Sequence, residues 1–113
     1  MIKIYHNPRC RKSREGLAIL EESNKVFEVV KYLEEVPTKE ELTKIISLLG
    51  INTEDLLRKG ESIWKEKYKG KNYTEEELID IMLANPKLIE RPIIVNGKKA
   101  VIGRPPQNIL KII

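Results

Sequence analysis

The segment Ile2-Lys3-Ile4-Tyr5-His6-Asn7-Pro8-Arg9-Cys10, with the run Arg11 to Glu22 behind it, decides how this chain folds. Its first four residues alternate with the two-residue period of a strand. His6-Asn7-Pro8 then breaks the strand with a turn signal. From Arg11 to Glu22 the pattern is helical: Leu17, Leu20 and Glu21 fall at helical spacing, and Ile19 is the one β-branched residue. Ser23-Asn24 ends the helix, and Val26 to Tyr32, rich in β-branched and aromatic residues, reads as a second strand. Strand, helix and strand in this order make a parallel pair joined by a right-handed crossover.

Working outward, the middle of the chain is helical. Thr38-Lys39-Glu40-Glu41 has the form of a capping box. Leu42, Ile45, Ile46 and Leu49 follow at i, i+3, i+4 and i+7, and Gly50 supplies a left-handed stop. A shorter helix is expected from Thr53 to about Arg58. Thr74-Glu75-Glu76-Glu77 is a second capping box, opening a helix through Leu78, Ile79 and Met82 that Asn85-Pro86 ends. Strands then return. Pro92 to Val95 and Lys98 to Ile102 flank Asn96-Gly97, a pair suited to a type I′ hairpin. Pro105-Pro106 opens a last helix, predicted to place Ile109, Leu110 and Ile113 on one face. The expectation is one domain over residues 1–113: an α/β fold, βαβ…ββα, with a mixed four-stranded sheet and a helical insertion at about 37–89. This is a thioredoxin-like plan.

At 113 residues, 41% hydrophobic and 34% charged, the chain has a globular balance and is long enough to bury a core. No apolar run approaches the roughly 20 residues that span a bilayer, and the N-terminus lacks the pattern of a signal peptide. A cytoplasmic protein without membrane attachment is expected. One cysteine and one histidine rule out an internal disulfide and are too few for a metal centre of these ligands, so no metal is expected. The net charge of +4 favours anionic partners. Basic and acidic residues are interleaved, as in Lys31-Tyr32-Leu33-Glu34-Glu35, and no basic and aromatic stripe exists, so nucleic acid is not the expected partner.

Cys10 stands where the first turn meets the first helix. N–H groups at a helix start have no internal partners and carry partial positive charge, which lowers a thiol pKa. Arg9, Arg11, Lys12, Arg14 and His6 surround it in sequence, and Ser13 can offer a hydroxyl to the sulfur. An inert buried cysteine is the plain alternative, yet this one has no apolar sequence neighbour. The same N–H and guanidinium groups would cradle a tetrahedral oxyanion. Arg58, Arg91 and Arg104 each sit at the end of an element, where sites gather. His6 can either tune the thiol or shape the turn. Pro92, before a strand, would ordinarily be trans.

These residues carry a family resemblance. His6-Asn7-Pro8-Arg9-Cys10-Arg11-Lys12-Ser13-Arg14 resembles the active-site signature of ArsC, the glutaredoxin-dependent arsenate reductases. Tyr32-Leu33-Glu34 with Pro37-Thr38, then Leu56-Leu57-Arg58, Ile89-Glu90-Arg91-Pro92-Ile93 and Gly103-Arg104-Pro105 match in the same order, so the resemblance covers nearly the whole chain. It implies a thioredoxin-like fold and a Cys10 nucleophile that attacks arsenate to form a thioarsenate. It also implies Arg58, Arg91 and Arg104 as ligands of the oxyanion, His6 lowering the thiol pKa and Ser13 bonding the thiolate. Pro92 would be the family's cis-proline. No bound cofactor is implied; glutathione and glutaredoxin would be co-substrates. Arg11-Lys12 departs from arsenate reductases that carry small residues there. Two rivals share the scaffold: a glutathione-dependent thiol oxidoreductase with another substrate, and a non-catalytic regulator that binds RNA polymerase, as Spx proteins do. The usual Cys-x-x-Cys switch of the latter is Cys10-Arg11-Lys12-Ser13 here, which cannot form a disulfide.

Overall fold

A computed structural model describes residues 1–113. Four strands, β1 (Ile2–Tyr5), β2 (Phe27–Val30), β3 (Ile93–Asn96) and β4 (Lys99–Ile102), form one sheet in the order β2-β1-β3-β4. β1 pairs in parallel with β2 and antiparallel with β3, and β3 pairs antiparallel with β4. The mixed sheet agrees with the strand–helix–strand and hairpin reading. The second strand is shorter than expected, because Val26 stands outside the ladder and Lys31-Tyr32 opens a turn.

The chain divides into two compact units, one of residues 1–35 and 91–113, the other Val36–Glu90. The first contains the sheet, helix α1 (Arg11–Glu22) and a 3-10 helix at Pro106–Lys111. Its core is Ile2, Ile4, Leu20, Ile94 and Ile109, all buried, with Leu17, Ile19, Phe27, Val101, Ile112 and Ile113 packed on them. Each such side chain removed from water stabilises the fold by about 1.5–3 kcal/mol.

Two details at the C-terminal end differ from the sequence expectation. The last helix has three residues per turn, so Pro106, Ile109 and Ile112 share its inner face and Leu110 is 61% exposed. The hairpin keeps Asn96 in the ladder opposite Lys99 and turns on Gly97-Lys98. Gly97 has φ +61° while Lys98 keeps a negative φ, the pattern of a type II′ turn rather than type I′.

The second unit holds α2 (Lys39–Leu49), a 3-10 turn at Thr53–Leu56, α3 (Ser62–Lys67), α4 (Glu75–Ala84) and a 3-10 turn at Pro86–Leu88. The Thr38 hydroxyl accepts from the Glu41 N–H at 3.1 Å, and Gly50 ends α2 at φ +67°. At Thr74 both halves of the capping box close. α3 was not foreseen. It is six residues long and is held by Trp64, which is buried and stacks on Tyr68 and edge-on against Tyr73. No helix is long and apolar enough to cross a membrane.

Candidate active site

In the first unit, Cys10 is the N-cap of α1, half-buried and in its thiol form free of any disulfide. The turn before it is built by Asn7. Its carbonyl accepts from the Cys10 N–H at 3.0 Å, and its side-chain Oδ1 accepts from the Arg9 N–H at 3.0 Å. Asparagine before proline favours this local bonding over helix. The Asn7 N–H in turn donates to Ser13 Oγ at 2.9 Å, which ties the turn to the first helical turn.

His6 lies beneath the turn, 4% exposed, with Nδ1 2.7 Å from Ser13 Oγ. Burial lowers its pKa first. The charges of Lys31 and Arg14 lower it further, and a hydrogen bond with the Ser13 backbone and the charge of Glu21 oppose them. The ring is therefore neutral at pH 7. The Ser13 hydroxyl was expected on the sulfur. It is instead engaged by His6 and Asn7, and Ser13 acts on Cys10 through its backbone N–H.

The Cys10 thiol is held below its ordinary pKa. Burial is the largest influence and raises it. The Ser13 N–H, a hydrogen bond and the charge of Arg91, and the Lys12 N–H together outweigh burial. The sulfur makes no full capping bond to a backbone N–H, so Ser13 and Lys12 act as nearby dipoles. A second guanidinium arrives from the far end of the chain: Arg104 donates from an Nη nitrogen to Cys10 Sγ at 3.4 Å and from Nε to the Arg91 carbonyl at 2.8 Å.

The cations next to Cys10 in sequence do something else. Arg11 and Lys12 both pair with Glu15, at 3.3 and 3.5 Å, and Arg14 donates to the Pro8 carbonyl at 3.0 Å. Arg58 belongs to the second unit. An antiparallel bridge between Leu57 and Ile89 sets it beside Glu90, and it pairs with Glu90 at 3.0 Å and Glu61 at 3.3 Å.

The Arg91–Pro92 bond is cis, as is Arg104–Pro105. The Pro92 ring is clasped by two glycines that the sequence reading left aside. A Cβ on Gly16 would stand 2.9 Å from Pro92 Cγ, and one on Gly103 would stand 2.8 Å from it. A glycine inside a helix costs about 1 kcal/mol against alanine, so Gly16 in mid-α1 was a legible sign of a close approach. Asn7 was read as part of the turn signal, but not as the residue that fixes Arg9 and ties the turn to Ser13.

Chemically, the arrangement sets a thiol of lowered pKa beside two guanidinium groups, a combination able to attack an oxyanion and take up its charge. The ArsC family model matches residues 5–112. "Uncharacterized protein YfgD" of Escherichia coli strain K12 is 46% identical, over 99% of this chain and 96% of that protein. An arsenate reductase of Neisseria meningitidis serogroup B is 41% identical, over 96% of this chain and 94% of its own length. The solved structure titled arsenate reductase from Vibrio cholerae is 43% identical and superposes with a TM-score of 0.94, over 99% of this chain and 97% of that one. The shared fold is thioredoxin-like; in this chain Cys10 stands at the start of α1 and the cis-proline Pro92 just before β3. On sequence and on structure alike, the chain belongs to the ArsC family.

Proposed function

We propose that the protein is an arsenate reductase with Cys10 as nucleophile, working in the cytoplasm with glutathione and glutaredoxin as electron donors. The observation that carries this reading is the pairing of Cys10 Sγ with guanidinium groups from Arg91 and Arg104. Arsenate is a tetrahedral anion, and arsenic(V) is more open to attack by sulfur than phosphorus is. The Cys10 thiolate bonds to arsenic, and one arsenate oxygen leaves as water after taking up protons. Arg91 and Arg104 hold the oxygens of the adduct. Such donors act where charge develops and are worth a few kcal/mol each.

Arsenic is still pentavalent in this thioarsenate. A glutathione thiolate then attacks Cys10 Sγ. The S–S bond forms, the S–As bond breaks, and its electron pair leaves with arsenic as arsenite. Cys10 is left as a mixed disulfide with glutathione, since the chain has no second cysteine to resolve it. Glutaredoxin thiol reduces that disulfide and returns the Cys10 thiolate.

The test is arsenate-dependent NADPH oxidation with glutathione, glutaredoxin and glutathione reductase, comparing the wild type with Cys10→Ser. Activity in the first and none in the second supports the reading. An absence of arsenate dependence in the wild type removes arsenate as substrate and leaves a glutathione-dependent thiol oxidoreductase. Capture of RNA polymerase without turnover moves the protein to the regulator class.

A further inference from the structure

Beside the Cys10 turn, still within the first unit, is a recess of about 250 Å³ lined by His6, Asn7, Pro8, Arg9, Lys31, Leu33 and Glu34. The proposed reaction needs the recess for neither oxyanion nor thiol. Its inner wall is made by the buried His6 and Asn7 and its rim by the exposed Arg9, Lys31 and Glu34. The rim is rigidly spaced. The Lys31 carbonyl accepts from the Glu34 N–H at 3.0 Å and the Glu35 N–H at 2.8 Å, and the Asn7 side chain fixes Arg9. None of the three charged rim side chains is committed to an ion pair.

We propose that this recess binds the γ-glutamyl end of glutathione, a proposal that rests on the glutathione-dependent reading above. The argument is charge and reach. Glutathione carries two carboxylates and one ammonium, and the rim carries two cations and one carboxylate. Its γ-glutamyl end is a zwitterion, which needs an acceptor for ammonium and donors for carboxylate within one small space. Glu34 supplies the first, Lys31 and Arg9 the second, and Pro8 and Leu33 cover the methylenes between. A volume of 250 Å³ lies below the roughly 300–1,000 Å³ of sites that enclose drug-sized ligands, which suits one arm of a tripeptide. Arg9 is the neighbour of Cys10, so their Cα atoms are about 3.8 Å apart, and a tripeptide extends to about 10 Å. Glutathione anchored at the rim can therefore bring its sulfur to Cys10.

The probe is S-methylglutathione, which cannot form a disulfide, titrated into the whole protein and followed by amide chemical shifts. Saturable binding is expected. Lys31→Ala and Glu34→Gln should each weaken it about five-fold, the scale of one partly exposed charged hydrogen bond, while Lys99→Ala leaves it unchanged. S-methylcysteinylglycine, which lacks the γ-glutamyl arm, should bind more weakly and be insensitive to Glu34→Gln. The rim residues are exposed, so unchanged melting temperatures are expected to accompany the loss. No saturation, or wild-type affinity in both rim variants, overturns the site. The assay contains no arsenate, which separates the two readings. Glutathione-dependent turnover with wild-type KM for glutathione in the rim variants keeps the enzyme and discards the recess. Rim-dependent binding without arsenate turnover does the reverse.

Discussion

His6 Nδ1 and Ser13 Oγ stand 2.7 Å apart in the interior, and this bond, together with Asn7 N–H to the same oxygen, fastens the Cys10 turn to α1. Ser13→Ala would leave a ring nitrogen and a backbone N–H without that partner in a buried place, at a cost of about 1–3 kcal/mol. The Ser13 N–H that acts on the sulfur would remain. The expected result is a clearly lower melting temperature with a thiol pKa that moves less than in Arg91→Ala. Thermal denaturation and the ultraviolet absorbance of the thiolate read the two effects separately. A thiol pKa that rises as far as in the arginine variant would mean that the hydroxyl acts on the sulfur directly.

His6 also makes stability depend on pH. Burial, Lys31 and Arg14 depress its folded pKa below the ordinary value of 6.5, so below that value the unfolded chain binds more protons than the folded one. Stability then rises with pH across this window. The contribution is fully present above pH 6.5 and is lost as the pH falls through the folded value. Denaturant melts between pH 5 and 8 should show this slope in the wild type and a flatter one in His6→Asn, whatever the absolute stability of that variant. Parallel profiles would contradict a histidine buried neutral.

What the sequence reveals about this fold follows the range of the interactions involved. The β1–α1 junction was legible because the apolar period changes from two to 3.6 across Cys10, and the two threonine caps because capping is local. α3 escaped because six residues carry too little periodicity, and its stability comes from Trp64 meeting Tyr68 and Tyr73. The site divides in the same way. Adjacency suggested that Arg11, Lys12 and Arg14 surround the thiol, but side chains on a helix meet neighbours three or four positions away, and Glu15 takes the first two. Arg104 reaches Cys10 across 94 positions, and only the order of family motifs hinted at it.

Arg91 and Arg104 should be separable from the general basic charge of the protein. Arg91→Ala and Arg104→Leu each remove a donor to the sulfur and are expected to raise the thiol pKa towards the free value of about 8.5. If the proposed reaction holds, each should lower kcat by about 10²–10³, the usual loss for a donor aimed at developing charge. Arg104→Lys should not restore the wild type, because an ammonium cannot bond the Arg91 carbonyl and Cys10 Sγ in the fork geometry of a guanidinium. Lys99→Ala, on the exposed end of β4, is the control. Equal losses in it and in Arg91→Ala would remove the ligand assignment.

The glycine clasp on Pro92 gives a sharp reversal of ordinary helix propensity. Gly16→Ala in an exposed helix would stabilise by about 1 kcal/mol. Here the new methyl meets Pro92 Cγ at 2.9 Å and Ile109 Cδ1 at 3.1 Å. A proline ring cannot rotate aside, and overpacking of this kind costs about 1–3 kcal/mol, so the net effect should be destabilising. Gly103→Ala, at 2.8 Å from the same atom and 3.3 Å from Ile94 Cδ1, should behave alike. Both should also raise the Cys10 pKa, since Arg91 is bonded through its backbone to Pro92. Gly60→Ala, with nothing within 4 Å of the added Cβ, should be neutral or stabilising by less than about 1 kcal/mol. Melting temperatures of the three variants check the clasp. A Gly16→Ala protein more stable than the wild type would show that the proline has room to move, and the packing that sets Arg91 beside the sulfur would need another origin.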